Sequence, residues 1–268
     1  LQGVTVVIPQ VKKLLSLFIL IAIVTTSGSS FGKLPKRRPP PQKKQSLTIV
    51  IDPGHGGKDS GAIGVGGRQE KRAALQISQL WKRQLEKKLK ARVVLTRSRD
   101  VFISLGERNR ISKKANAQLF ISVHMNAAEN KKANGLEIYY LNNATDRASS
   151  KLAARENKGI PKEEKDLEAI LGTLIQNENT EASALLAKQV HRTIFKRIEA
   201  KDLGVKTALF YVLVGPGCPS LLIESGFMSH PEEGKKLFQK RYQEEIVLGI
   251  TEGIEKYLTM SQHPRSNL

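Results

Sequence analysis

The sequence predicts one α/β domain with a mostly parallel sheet flanked by helices. Three observations point there. Short β-branched runs alternate with longer amphipathic stretches, as chains of strand-helix units do. The chain has 268 residues, 40% of them hydrophobic and 26% charged, which suffices for one full core and excludes a disordered or fibrous class. No internal repeat interrupts the alternation.

The elements follow in order. Leu47 to Ile51 is a β-branched run ending at Asp52-Pro-Gly and reads as a buried strand. Glu70 to Lys90 places Ala74, Ile77, Trp81, Leu85 and Leu89 on one helical face. Arg92 to Thr96 is the second strand. Ser104 and Glu107 form a capping box for a helix that runs to about Ala115. Leu119 to Val123 and Gly135 to Leu141 are the third and fourth strands. Residues 144–180 are polar and helical in pieces, and Ala182 to Ile198 is a further helix. Thr207 to Val214 and Ser220 to Ile223 are expected to be strands. Pro231 with Glu232 and Glu233 suits a helix start, and a last helix covers roughly Gln243 to Tyr257.

The charge is uneven. Of 44 Lys and Arg, eight fall in residues 1–45, which hold none of the 25 Asp and Glu. Lys12 and Lys13 precede the apolar run Leu14 to Val24, and small residues follow, the order of an export signal. That run is eleven residues, whereas a membrane-spanning helix takes about 20. Residues 1–30 are therefore expected to be a signal peptide or N-terminal anchor, and 31–46 a basic, Pro-rich linker. The folded domain is expected at 47–258, with a tail at 259–268. Without residues 1–45 the formal charge falls from +19 to about +11. The single cysteine, Cys218, excludes a disulfide framework and a cysteine-based zinc cluster.

Chemistry-bearing residues gather just beyond strand ends, where open α/β sheets bind ligands. Asp52-Pro-Gly-His55-Gly-Gly57 follows the first strand, His124-Met-Asn126 the third, and Glu224-Ser-Gly226 the Ser220 strand. Glu70 opens the first helix. Each is a weak signal alone: a His in a turn is commonly a surface residue, and a Glu at a helix start commonly complements the dipole. Their convergence on one edge is the informative point. Two imidazoles and a carboxylate, His55, His124 and Glu70, match a three-ligand zinc set with a position left for water. Glu224 matches the separate carboxylate that handles protons. Gly54, Gly56 and Gly57 allow a tight loop around an ion.

The same residues carry a resemblance. Ile51 to Gly57, Gly61 to Gly64, Glu70-Lys71, Leu95 to Arg97, Asp100 to Leu105, Glu107-Arg108, Ile121 to His124, Asn126-Ala127 and Glu224 to Phe227 occur in an order that resembles the zinc-dependent N-acetylmuramoyl-L-alanine amidases of bacterial peptidoglycan (amidase type 3). The likeness covers residues 47 to about 258. It implies a twisted, mostly parallel sheet of about six strands and one zinc ion held by His55, Glu70 and His124, with Glu224 as catalytic residue. It implies hydrolysis of the amide between N-acetylmuramic acid and L-alanine, in cell-wall remodelling or daughter-cell separation. An exported, monomeric protein of the periplasm or cell envelope is expected, touching membrane only through its N-terminus. Asn126 is either a substrate-binding residue or a loop-fixing one. Arg97, Asp100, Glu107 and Arg108 read as structural ion pairs.

Two features depart from this pattern or add to it. His230 stands where the family usually has Asn before Pro-Glu-Glu, and it reads as an exposed residue without a role, as do His191 and His263. In some family members an inserted helix covers the zinc until an activator displaces it. Residues 144–180 occupy that place, with Glu163, Glu164, Asp166, Glu168 and Glu178 as carboxylates within possible reach. A solvated helix and loop is the favoured reading of this segment. Deleting 158–168 would raise basal activity if the segment were inhibitory.

Other classes remain to be weighed. A zinc peptidase acting on the stem peptide would use the same ligands. A non-catalytic wall-binding module would not need all four site residues. A nucleic-acid binder is not suggested, since aromatics are 5% and no recognition motif occurs. A serine acyl enzyme is disfavoured because the folded part contains no Ser-x-x-Lys.

Overall fold

Strand β1 (Thr48–Pro53) is buried along its whole length, as an apolar run covered on both faces must be. A computed structural model describes residues 46–160 and 178–262. The expected export signal, linker and tail, and Glu163, Glu164, Asp166 and Glu168, lie outside the described residues, as does the side chain of Glu178. The other strands are β2 (Arg92–Leu95), β3 (Leu119–Asn126), β4 (Leu136–Leu141), β5 (Asp202–Ala208) and β6 (Ser220–Phe227). They form one six-stranded sheet in the order β2-β1-β3-β6-β4-β5. All pairings are parallel except β4 with β6. This is the mostly parallel α/β sheet expected.

The helices are α1 (Glu70–Leu89), α2 (Leu105–Ala115), α3 (Arg147–Glu156), α4 (Glu178–Ile194), α5 (Glu233–Lys236) and α6 (Lys240–Gln262). Period-two alternation splits the strand residues between two cores. Ile49, Ile51, Ile121, Val123, Leu221 and Ile223 face the larger one, with α1, α4 and α6. There Trp81 is fully buried and its indole N–H donates to Thr251 Oγ1 at 3.1 Å, so no polar group is stranded. Val50, Phe120, Tyr139 and Leu222 face the smaller core, with Ala115 of α2 and Leu152 and Ala153 of α3. Ser104 caps α2 by accepting from Glu107 N–H, half of the expected box; the Glu107 carboxylate turns to Arg110 instead.

One strand expectation is corrected. Thr207 to Val214 is not a strand: β5 ends at Ala208, and Tyr211–Leu213 is a 3-10 turn. The apolar run there packs Phe210, Val212 and Leu213 into the smaller core instead of into the sheet. The edge position goes to the more polar Asp202–Ala208, most of which is only partly buried. An edge strand has one unpaired side and tolerates such residues. The fourth helix also starts and stops earlier than expected, at Glu178 and Ile194.

Candidate metal centre

The alternation that builds the smaller core also builds the site. Two residues beyond Val50 on the same face is Asp52; beyond Phe120 come Ser122 and His124; beyond Leu222 comes Glu224. His124 and Glu224 are register partners on neighbouring parallel strands, and Glu137 of β4 opposes Glu224 from the other side. The β3–β6 register shifts between His124 and Asn126, a bulge of the kind that re-aims side chains at sites.

His55 lies in the loop after β1 with φ of 57°, a left-handed conformation rarely taken by a residue with a Cβ. The surroundings hold it there. Arg108 donates to the His55 carbonyl at 2.8 Å and to Asp52 Oδ1 at 2.6 Å. Asp52 also accepts from Thr96 and Ser122. Burial alone would raise the Asp52 pKa, but the Arg108 charge and these hydrogen bonds outweigh it and keep the carboxyl below its ordinary value. His55 Nδ1 lies 2.8 Å from Asp59 Oδ2. An ionised carboxylate only accepts, so Nδ1 carries the proton and Nε2 is left to face the site.

The predicted residues converge. Glu70 Oε1 lies 3.1 Å from His55 Nε2 and 3.1 Å from His124 Nδ1. The same carboxylate accepts from Met125 N–H at 2.9 Å and Ala62 N–H at 2.8 Å, which fixes it at the start of α1. A further carboxylate, which sequence reasoning missed, completes the cluster. Glu156, the last residue of α3, places Oε2 3.4 Å from both imidazoles. The acids named in residues 144–180 lie outside the described residues, apart from the backbone of Glu178, and the favoured reading of that stretch as a solvated helix and loop is corrected at the buried side chain of Glu156. Its only sequence signal is an acid at the end of a short amphipathic helix. Ligand atoms of His55, His124 and Glu156 lie within 4.8 Å of one another.

The electrostatics favour positive charge at this point. Burial would lower the His55 pKa, yet the Glu70 charge, hydrogen bonds with Asp59 and Glu70, and the Glu156 charge raise it to about 11. Burial would raise Glu70, and the two imidazoles instead bring it well below the ordinary carboxylate range. Donor spacing fits a small ion. Ligands about 2.0–2.1 Å from a tetrahedral zinc stand roughly 3.3–3.4 Å apart, close to the 3.1 Å between Glu70 and each imidazole. His55 Nε2 is buried and makes no well-oriented hydrogen bond within the protein, although Glu70 Oε1 stands 3.1 Å away. The glycines keep the spacing: a Cβ on Gly54 would lie 2.5 Å from His124 Cε1, and one on Gly61 would lie 2.6 Å from Glu70 Oε2.

Glu224 is fully buried, and neither carboxylate oxygen has a hydrogen-bond partner. Burial, then the charges of Glu70 and Glu156, holds its carboxyl well above the ordinary value. Asn126 is buried and engaged within the protein. Its amide donates to Glu137 Oε1 at 2.8 Å, and its carbonyl accepts from Ala127 N–H and Arg155. Glu137 in turn takes Lys206 at 2.8 Å. Of the expected ion pairs, Asp100 binds Lys71, Glu107 binds Arg110 and Arg108 binds Asp52. Arg97 differs, donating to backbone carbonyls. His230 has a role after all: its Nδ1 accepts from the N–H groups of Glu232 and Glu233 at the start of α5. His191 pairs with Asp202 away from the site.

Two hollows flank the cluster. One of about 260 Å³ runs from His55 and His124 to Leu105, Ile160 and Tyr211. A more open one of about 670 Å³ shares His55, Phe102 and Glu156 with it and reaches Ala127 and Arg155. Phe102 is a large apolar side chain left exposed at this rim.

Comparison with known proteins agrees with this geometry. Residues 49–256 match the family model described as N-acetylmuramoyl-L-alanine amidase. The chain is 34% identical over 221 residues to AmiC of Neisseria meningitidis, covering 80% of this chain and 53% of that protein. It is 34% identical over 230 residues to AmiA of Escherichia coli, covering 81% and 79%. The chain thus spans just over half the length of the Neisseria relative. Among solved structures, an N-acetylmuramoyl-L-alanine amidase from Clostridium difficile superposes with a TM-score of 0.64 at 31% identity, covering 80% of this chain and 97% of that one. The CwlD amidase from Clostridioides difficile, solved in complex with the GerS lipoprotein, superposes with a TM-score of 0.59 at 27% identity, covering 80% and 100%. By sequence match and by fold, the chain belongs to the N-acetylmuramoyl-L-alanine amidase family.

Proposed function

We propose that this protein is a zinc-dependent N-acetylmuramoyl-L-alanine amidase that hydrolyses the amide between N-acetylmuramic acid and L-alanine in peptidoglycan. The observation that carries the reading is the meeting of His55 Nε2 and His124 Nδ1 on one Glu70 oxygen, beside the buried, unpartnered Glu224. His55, Glu70 and His124 would hold one zinc ion. When bound, zinc supplies Lewis acidity toward the scissile carbonyl and lowers the pKa of a coordinated water.

The chain's own residues do the rest. Asp59 keeps the His55 tautomer that presents Nε2. Glu224 takes a proton from the attacking water and returns it to the leaving L-alanine nitrogen. Its buried position suits this, because burial and the neighbouring Glu70 and Glu156 charges raise its affinity for a proton. Asn126 acts through the network that holds the loop after β3, together with Glu137 and Arg155. Glu156 stands where substrate must approach the ion, so α3 covers the site in this conformation and withdraws for turnover. A partner that binds α3 would drive that withdrawal; the related amidase solved in complex with a lipoprotein supports partner binding.

Residues 1–30 serve as export signal or anchor, 31–46 as tether, and 47–258 as the catalytic domain of an exported envelope enzyme acting in wall remodelling or cell separation. No described helix is long and apolar enough to cross a membrane. The test is solubilisation of purified peptidoglycan by the parent protein and by Glu224→Ala, each with and without a zinc chelator. Activity is expected only from the parent with zinc. Chelator-resistant activity, or an active Glu224→Ala, would overturn the proposal and revive the wall-binding reading.

A further inference from the structure

Arg97 is 2% exposed, yet no carboxylate lies within ion-pair distance of it among the described residues. A buried guanidinium without a direct ion pair needs its N–H groups satisfied by other acceptors. Burial, and then the neighbouring Arg108 charge, lowers its pKa to about 10. The guanidinium is spent on backbone oxygens: Nε donates to Pro53 O at 3.0 Å, and Nη2 donates to Gly54 O at 2.6 Å and to Lys71 O at 2.9 Å. The position of these carbonyls is informative. Gly54 immediately precedes His55, and Lys71 immediately follows Glu70. One planar fork therefore spans the two segments that carry two of the proposed ligands. Lys71 closes the connection from the other side, donating Nζ to Gly57 O at 2.7 Å, while its partner Asp100 accepts from Gly57 N–H at 2.7 Å.

We infer that Arg97, with Lys71, is a positioning residue of the metal centre: it sets the distance between the His55 loop and the first turn of α1, and so the affinity and geometry of the bound ion. The inference rests on the ligand set proposed above. A lysine cannot replace Arg97, because a point charge cannot reach three carbonyls in two segments at once.

The experiment measures zinc affinity by competition with a chelating dye, and the visible absorption of the cobalt-substituted protein, for parent, Arg97→Lys, Arg97→Met and His124→Ala. Metal-free melting temperatures run alongside. The expected result is a folded Arg97→Lys whose zinc affinity is about 10- to 100-fold below the parent's, the usual effect of losing support behind a ligand, with an altered cobalt band. Should Arg97→Met not fold, Lys71→Met removes the opposite half of the connection and is expected to weaken zinc in the same direction. Parent-like affinity and spectrum in folded Arg97→Lys, beside a clear loss in His124→Ala, overturns the inference alone. A parent that binds no zinc overturns the ligand set as well.

Discussion

The loop after β1 and the last turn of α3 both present a side chain to the same point, but they are held in different ways. In the loop every carbonyl from Pro53 to Gly57 accepts a donor: Arg97 and Arg108 serve residues 53 to 55, Asp59 N–H serves Gly56, and Lys71 serves Gly57. The strand beneath is wholly buried. Among the described residues, the turn around Glu156 is held through its neighbours Arg155 and Asn157. Arg155 bonds the Glu156 carboxylate at 2.8 Å and the Ala127 carbonyl at 3.0 Å, while Asn157 bonds the Leu209 carbonyl and accepts from Tyr211 N–H. Elements tied by a few solvent-accessible hydrogen bonds open at much lower cost than core strands. On the function proposed above, the rigid side carries the chemistry and the lightly held side covers it.

The largest effect should come from the rigid side. Glu224→Gln keeps the shape but loses the proton carrier, so kcat should fall about 10²- to 10⁴-fold with zinc content unchanged. Kinetics with a metal assay check this, and a near-parent kcat would remove Glu224 from the chemistry. Next is Asp52→Asn, which leaves Arg108 charged and buried. Breaking such a pair costs about 3–5 kcal/mol, read by denaturant unfolding. Because Asp52 titrates below its ordinary 3.8 when folded, its contribution is complete above that value and disappears as pH falls through the lower folded value. Parent and variant stabilities should converge in acid; a gap that persists below both values would contradict the pairing.

The lightly held side should respond oppositely. Glu156→Gln loses charged contacts worth about 1.5–3 kcal/mol, so basal amidase activity without a partner should rise about tenfold or more. Lower activity at full zinc loading would make Glu156 a working ligand instead of a cover. The smallest effect concerns the surface. The roughly +11 charge outside residues 1–45 should give wall binding that weakens with added salt, checked by pull-down on purified sacculi. Binding indifferent to ionic strength would assign attachment to specific contacts.

The rigid side was also the legible one. His55 follows an apolar strand, His124 and Glu224 lie near the ends of two others whose alternation can be counted, and Glu70 starts a helix whose apolar spacing is regular. Glu156 was not legible, because it sits on a short helix that buries little beyond Leu152 and Ala153. Its approach depends on where α3 docks. Arg97 was misassigned for a related reason: charge spacing suggests ion pairs, whereas carbonyl partners appear only once loops fold. The strand expected at Thr207 to Val214 failed because an apolar run packs a core equally well as a turn.

The bond cleaved is read by mass spectrometry of the fragments released from purified peptidoglycan by the zinc-loaded protein. An amidase releases intact stem peptides with a free L-alanine amino group and leaves glycan strands bare of peptide, and this is the expected result. Fragments cut within the stem peptide, with L-alanine still joined to N-acetylmuramic acid, would contradict it and identify a peptidase.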